Sequence, residues 1–565
     1  MGTPTCDQAR PGRGSSQMNE PTARDWLLPA MIVAMGLALR WRQFDYFLVP
    51  DSDFFDYKAV GTALLHGDAP PLYLRPPFYS LLMAVLAPIF GGRDPVLHAA
   101  EAVNLAAFVV AAFFLYRLAA GFVGSAGAWI VALLFAMDGL GFHMTLQPRA
   151  ELLTVALVIL GCYLATARPA AGYAAAALAS LTRYEGAFLV PALLVRDLVF
   201  GQHRRQAVVR AALASTGLAT WLGLNFLATG HANPYYEYAG GATNAAGGAF
   251  LRVLAQVCLG SVGLAPEGAA LAVAGALLLV LILGGLVYLL CTAPRAALPI
   301  VTFFALTLVL NLAFFSPTPE HAFIIVWVCQ LAVVAAFVGF SRFARSAFSF
   351  PPTSTRRVRL VLGIGTLLAL IILAWATRGR GTAVVAETLL VTTVVVGVTL
   401  ATIRPRTLPS AALVAGVMVA VPLAVRGDLQ AIHARLDSVA YVKGELRRAG
   451  EWFAAHAASD DLMIVTEPWV VAAFAVPRPQ QAFIGTHTLT AETPEDLAAE
   501  LRRLGADYVV WNSQHGNLES TSYYFRKYRF DLLRQLGDGR STPDFEVLDT
   551  LRAGPTYAYV YRVRQ

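Results

Sequence analysis

From Trp26 to about Val425 the sequence is a succession of apolar runs of roughly 17 to 22 residues, each about long enough to cross a hydrocarbon core of roughly 30 Å. In lipid every backbone N–H and C=O must be satisfied within the segment, so such runs dictate membrane-spanning helices. The composition agrees, with 57% hydrophobic and only 14% charged residues, against about 25% charged in a soluble domain. The net charge of +7 does not indicate nucleic acid, because the arginines sit in short clusters between apolar runs, as they do in cytoplasmic loops. The five cysteines, Cys6, Cys162, Cys258, Cys291 and Cys329, are scattered and mostly within apolar runs, which indicates packing rather than a disulfide framework or a zinc site.

Residues 1–25 are polar and rich in Gly, Pro and Ser, and read as a disordered cytoplasmic tail. No small-residue cleavage site follows the first apolar run, which therefore reads as an anchor helix. After Arg426 the texture turns mixed, marking residues 429–565 as a separate soluble domain behind a membrane module of 26–428.

The arginines fix an orientation. With a first span at 26–41 running outward, counting "YSLLMAVLAPIFGG" at 79–92 as a full span would place "HRRQAVVR", with Arg204, Arg205 and Arg210, outside. That run has about 13 uninterrupted residues, a length typical of interfacial or re-entrant segments. If it only dips into the outer leaflet, spans at 98–117, 123–141, 152–167, 170–182, 184–199, 207–229, 267–290, 297–315, 322–340, 358–376, 383–402 and 408–425 bring the downstream cations inside. The total is about thirteen transmembrane helices. "FLRVLAQVCLGSVGLA" at 250–265 is read as interfacial, and 170–182 counts as a span only because the arginine pattern needs it. An odd count sets the C-terminal domain outside the cytoplasm, opposite the N-terminus.

This topology gathers polar groups on the outer face: the loop 42–97 with Asp51, Asp53, Asp56, Tyr57 and Arg75, then Glu151, Arg183, Glu185 and His321 at helix ends. Charges at membrane depth cost roughly 2.5 to 3.5 kcal/mol each on insertion scales, so those kept there usually face a protein cavity and serve a function. Arg40, Arg42 and Arg75 run against the positive-inside bias, and a phosphate is one reason to keep a cation there. A carboxylate opposite them could take the proton of a hydroxyl or amine acceptor.

These residues resemble a family. "DSDFFDYKA", "RPPFYSLLMAVLAPIFGG", "LQPRAELLTVALVIL", "LTRYEGAFLVPALL" and "SPTPEHAFIIVWV" occur in order and look like successive signatures of the GT-C glycosyltransferases. The branch they resemble contains bacterial lipid A aminoarabinose transferases and protein O-mannosyltransferases. The resemblance implies a bacterial inner-membrane enzyme that moves a sugar from a polyprenyl-phosphate donor to a glycan, lipid or protein acceptor on the extracytoplasmic face. By the same resemblance Asp51 is the catalytic or acceptor-orienting acid, Glu151 the second acid, and Arg75 and Arg183 bind the donor phosphate. His321 stands where Arg or Lys is usual. Phe55 stands where Tyr is usual, with Tyr57 near enough to substitute, and Asp53 and Tyr57 are accessory candidates. Some members hold a divalent metal; if this chain does, Asp51 and Glu151 would be its ligands. No phosphate-binding glycine loop is present, since the glycines at 240, 241, 247 and 248 follow no strand.

Plainer readings stand beside these. Asp51 could cap a loop helix at 53–66, Asp53 and Asp56 could be first-turn acids, and Glu151 could cap the fourth span. Arg75 could snorkel to headgroups, Arg183 and Glu185 could simply pair, and His321 could be a hydrogen-bonded helix-mouth histidine. The tyrosines of "HANPYYEYAGGATN" read equally as a sugar platform or an interfacial belt. A transporter or flippase of lipid-linked sugars is the alternative function, although internal repeats and midplane polar groups are not evident.

The C-terminal domain reads as a helix "LDSVAYVKGELRRAGEWFAAHA", a strand "DLMIVT", a helix "PEDLAAELRRLG", a strand "ADYVVWN" and closing strands "FEVLDTL" and "YAYVYRV", a small α/β unit. His456, His487 and His515 lack ligand-like spacing. By the resemblance, such a domain lies over the membrane site and shapes the acceptor. Sugar, acceptor, lipid length and metal dependence are not legible in the sequence.

Overall fold

The computed structural model describes residues 23–41, 50, 52–68, 70, 75–91, 94–230, 246–260, 268–314, 319–347, 443–475, 480–517 and 529–564. Residues 1–22 of the expected tail, Asp51, the tyrosine-rich loop and the expected spans 358–376, 383–402 and 408–425 lie outside them.

Up to residue 347 the described chain is helical: α1 (Ala23–Trp41), α2 (Ser52–His66), α3 (Pro77–Leu86), α4 (Pro95–Met137), α5 (Gly139–Leu146), α6 (Glu151–Ala167), α7 (Pro169–Thr182), α8 (Leu189–Phe200), α9 (Arg204–Thr229), α10 (Ala246–Gly260), α11 (Gly268–Thr292), α12 (Pro294–Phe314) and α13 (Pro319–Ala347). Among the described residues five of these are long and apolar enough to cross a membrane, or six if α5 and α6, bent by 113°, count as one broken span. The chain is thus a multi-pass membrane protein.

At 43 residues α4 would run about 65 Å if straight, twice the thickness of a hydrocarbon core. Its helical geometry breaks at Gly124 (φ 73°, ψ 172°), a conformation that side chains disfavour. The break falls at the second residue of the span expected at 123–141, just past the gap that separates it from the span expected at 98–117. The second of these ends early, at Asp138, whose carboxylate accepts from the Gly141 N–H (2.7 Å) and caps α5.

α3 and the 3-10 turn Ala87–Ile89 together form a short apolar helix, as the length of that run requires. α7 and α8, expected as spans, are helices of 14 and 12 residues, about 21 and 18 Å long and shorter than a hydrocarbon core. α6 and α7 pack together across the turn at Arg168, as do α2 with α3, α4 with α6, and α11 with α13.

The C-terminal unit is a five-stranded sheet in the order β2-β1-β3-β5-β4, from β1 (Met463–Val465), β2 (Phe483–Gly485), β3 (Tyr508–Asn512), β4 (Phe545–Ala553) and β5 (Thr556–Val563). β1 runs parallel to β2 and β3, while β5 is antiparallel to β3 and β4. Period-two alternation in β3 sends Tyr508 and Val510 to the face packed by α14 (Gly444–His456), and Val509 and Trp511 to the face packed by α16 (Pro494–Arg503). The result is a helix–sheet–helix layering. The sequence reading passed over β2 and α15 (Pro468–Phe474), both too short to carry a periodic signal. α15 packs on α2, so the C-terminal unit touches the helical part of the chain.

Candidate functional site

The site is built where helix ends meet. α6 opens with Glu151 and α7 closes at Arg183; because the two are consecutive, adjoining helices of about 25 and 21 Å, the Glu151 and Arg183 ends return to one level. The placement also suits the helix dipoles, with an acid in a first turn and a cation just past a last turn. The 3-10 turn Tyr184–Phe188 follows at once and presents Glu185. His321 joins from the first turn of α13.

These four side chains form one network. Arg183 donates through Nη1 to Glu151 Oε1 (2.5 Å), and through Nε and Nη2 to the two oxygens of Glu185 (3.2 and 3.0 Å). Glu185 Oε1 also meets His321 Nδ1 at 2.8 Å. The side chains of Glu151, Glu185 and Arg183 are 2%, 3% and 10% exposed, so their charges face one another in a low-dielectric surround rather than water. Glu151 Oε2 is buried and has no hydrogen-bond partner. Arg149 pairs with Glu320 (3.1 Å), tying the turn before α6 to the start of α13 and so fixing Glu151 relative to His321.

A second group comes from the α2–α3 hairpin. Arg75 pairs with Asp53 (2.5 Å), donates to the Tyr57 hydroxyl (3.4 Å) and lies 5.1 Å from the Tyr57 ring centroid. Tyr57 meets Tyr79 edge to face at 5.0 Å. The Tyr79 hydroxyl donates to Asn104 (3.2 Å), whose amide donates to the Met144 and Gln147 carbonyls (3.1 and 2.7 Å). That buried chain locks the hairpin to α4 and to the turn that carries Glu151. Lys58 adds a further pin to Asp94 (2.7 Å). Burial pushes the Tyr57 phenol up to about 12; Arg75 and Arg183 oppose the shift, and Glu151 and Asp53 add to it. Tyr57 therefore lies within electrostatic reach of both groups and keeps its proton at neutral pH.

Of the sequence candidates, Glu151, Arg183 and His321 converge in the first group, and Asp53, Tyr57 and Arg75 in the second, while Asp51 lies outside the described residues, one position before α2. Glu185, read from sequence only as a local partner of Arg183, is the hub that joins Arg183 to His321. Arg40, considered for phosphate, is spent inside the bundle: it is buried, donates to Thr145 (3.0 Å) and to the Gly36 and Ala136 carbonyls (3.2 and 3.0 Å), and lies 3.9 Å from the Phe108 ring centroid. Among the described residues no three His, Cys, Asp or Glu side chains gather as a cation site. Glu151 already gives one oxygen to Arg183, so the described residues alone do not fit a divalent ion.

The fold is similar to that of ArnT in two solved structures. ArnT from Cupriavidus metallidurans, solved bound to undecaprenyl phosphate, superposes with a TM-score of 0.55 at 15% identity, over 95% of this chain and 98% of that one. Its apo state gives 0.54, also at 15% identity over 95% and 98%. No protein-family model and no curated protein matches the chain.

Proposed function

We propose that this protein is an integral membrane glycosyltransferase that moves a sugar from a polyprenyl-phosphate donor to an acceptor on the extracytoplasmic face. The observation that carries this reading is the buried network of Glu151, Arg183, Glu185 and His321 at converging helix ends. Buried charges are rarely kept for stability, since well-packed apolar groups often do as well or better. Cations beside a carboxylate are what transfer from a lipid phosphate needs. The likeness of the fold to a protein solved with undecaprenyl phosphate supports the same donor class.

In this mechanism Asp51 takes the proton of the acceptor nucleophile as that atom attacks the anomeric carbon. The bond from that carbon to the phosphate oxygen breaks, and its electron pair leaves with the lipid phosphate. Arg183, Arg75 and His321 stabilise the charge that develops there. Arg183 uses three of its five N–H groups on carboxylates, which leaves donors for phosphate oxygens. Glu151 holds Arg183 in place. Residues 429–565 form the extracytoplasmic domain, and its contact with α2 through α15 suits a part that shapes the acceptor side.

The test is transfer of radiolabelled sugar from a panel of polyprenyl-phosphate sugars to endogenous acceptors, in membranes carrying wild type or Asp51→Asn. Label incorporated by wild type and lost in the variant at equal expression is expected, and it also names the donor. Equal incorporation by both would remove Asp51 as the base. No incorporation from any donor would turn the reading toward transport.

A further inference from the structure

We infer that the carboxyl edge of the C-terminal sheet is a binding site for a sugar that carries hydroxyls and no negative charge; assigning that sugar to the acceptor rests on the proposed function. In the order β2-β1-β3-β5-β4 the chain leaves β1 toward β2 and leaves β3 toward β5 and β4, on opposite sides. Ligands of open α/β sheets bind outside the carboxyl ends of the strands at such a point, because the diverging connections leave a crevice. The buried polar side chains of the C-terminal unit gather there. Thr466 and Glu467 follow β1, Thr486 follows β2, Asn512 ends β3, and Lys443 and Glu445 stand at the start of α14. Lys443 Nζ meets Glu467 at 2.7 Å, the Lys443 N–H donates to the Gln514 side chain (3.3 Å), and the Asn512 amide donates to the Thr466 hydroxyl (3.4 Å). The start of α14 is thereby fixed to the ends of both strands.

Glu445 is fully buried, yet neither oxygen of its carboxyl meets a donor at hydrogen-bonding geometry. The neighbouring Thr556 hydroxyl gives its hydrogen to the Ala553 carbonyl (2.9 Å). A buried acid left in this state weakens the fold, so stability does not explain it. The indole N–H of Trp469, in the first turn of α15, is likewise buried without a partner. Its ring lies 6.2 Å from that of His487, which is exposed, so the two rings stand at the open side of the edge. This chemistry selects the ligand. Orphan acceptor oxygens beside an orphan N–H call for hydroxyls, which both donate and accept. An anion would meet Glu445 with Lys443 already matched by Glu467, and among the described residues no three His, Cys, Asp or Glu side chains gather as a cation site. Aromatic rings beside such groups suit a sugar, whose apolar C–H face lies on a ring while its hydroxyls turn to the polar side chains. α15 begins directly after Glu467 and packs on α2, so a sugar held here is carried beside the helix that presents Asp53 and Tyr57.

Sugar binding to the full chain tests this, in nanodiscs free of sugar-headed detergent, by ligand-observed NMR titration with glucose, galactose, mannose and N-acetylglucosamine, and with glucuronate for comparison. At least one neutral sugar is expected to bind wild type. Glu445→Gln keeps the shape but puts an N–H where an oxygen accepted, and should raise Kd about tenfold or more. Trp469→Phe keeps a ring without the N–H and should also weaken binding. Glu500→Gln should leave Kd unchanged, since that carboxylate is spent on Thr490 and Ala491. Glu445→Gln relieves a buried acid, so its Tm should not fall, which separates lost binding from lost folding. No neutral sugar bound, glucuronate bound in preference, or a Kd that Glu445→Gln leaves unchanged would overturn the inference. Sugar bound by a protein inactive in transfer with every donor would remove the functional reading and leave the binding site standing.

Discussion

Replacing Arg183 by Met removes the cation that two buried carboxylates share. Arg183 makes three contacts, of 2.5, 3.2 and 3.0 Å, and its partners Glu151 and Glu185 are 2% and 3% exposed. Breaking one buried pair by deleting a partner costs about 3 to 5 kcal/mol, because the remaining charge is left uncompensated. Here two carboxylates are stranded and only Glu185 retains another partner, so the upper end of that range is expected. Against a total stability of about 5 to 15 kcal/mol, that is a third or more of the margin. Thermal unfolding of the detergent-solubilised full chain should show Arg183→Met melting on the order of 5 to 10 °C below wild type. Adding Glu151→Gln and Glu185→Gln to Arg183→Met removes the stranded charges and should recover most of the loss, although it abolishes transfer. Arg183→Lys, with one point charge in place of a fork, should fall between. An Arg183→Met protein as stable as wild type, or a triple variant no more stable than the single, would refute the claim that these charges are held by one another.

Three further outcomes follow from the geometry. A Cβ at Gly61 would overlap the Ser80 carbonyl where α2 crosses α3, so Gly61→Ala should cost about 1 to 3 kcal/mol of stability and lower transfer by disturbing the hairpin that carries Asp53 and Tyr57; wild-type Tm and rate would rule this out. Since the Tyr57 phenol is pushed up to about 12, it is not the base, and Tyr57→Phe should leave the shape of the pH–rate profile unchanged up to about pH 10. In the C-terminal domain, burial raises the Glu445 carboxyl above its ordinary range, Glu467 adding to the shift, with the Thr556 hydroxyl and Lys443 opposing it. The folded state therefore binds the proton more tightly than the unfolded one, and stability is lost as pH rises from the unfolded carboxyl value, about 4.3, through the raised folded value. Glu445→Gln should raise Tm at neutral pH, with the gain shrinking as the pH falls toward 4; a variant less stable than wild type at neutral pH would contradict this.

What could be read in advance depended on how local the deciding physics was. Segment length alone marked 79–92 as too short to cross, and Pro77–Ile89 is a short helix. Adjacency in sequence put Glu151 and Arg183 at the same end of two consecutive helices. The break at Gly124 falls one residue past the start of the second of the two segments expected there, and a single glycine in an apolar run carries no visible signal for φ 73°. Long-range pairing was not legible. Nothing in the spacing says that Arg75 pairs with Asp53, which requires α2 and α3 to fold into a hairpin closed tightly at Gly61. Glu185 looked like a local partner two residues from Arg183; its contact with His321, 136 positions away, exists only once α13 has packed. Arg40 misled for the same reason, since a cation at a helix end looks available until Thr145 and two carbonyls from other turns close around it.

The pairing of every cation in the site with a carboxylate is at first sight an argument against phosphate binding, because an incoming anion must enter beside acids. The energetics favour the opposite conclusion. An arginine left alone at 10% exposure would carry a desolvation cost of several kcal/mol with nothing to offset it, and the chain would bury it elsewhere or expose it. Glu151 and Glu185 make a buried Arg183 tolerable in the empty site and hold its plane in one orientation, so that little ordering remains when the donor arrives. Their attraction is spread over three N–H groups, and two more N–H groups of the same guanidinium remain for a phosphate. A site that only stabilised the fold would do better with leucines at these positions. On the proposed function the site receives a singly charged phosphodiester and must keep a cation ready for the charge that grows as the lipid phosphate leaves, and keeping a buried cation ready requires the acids.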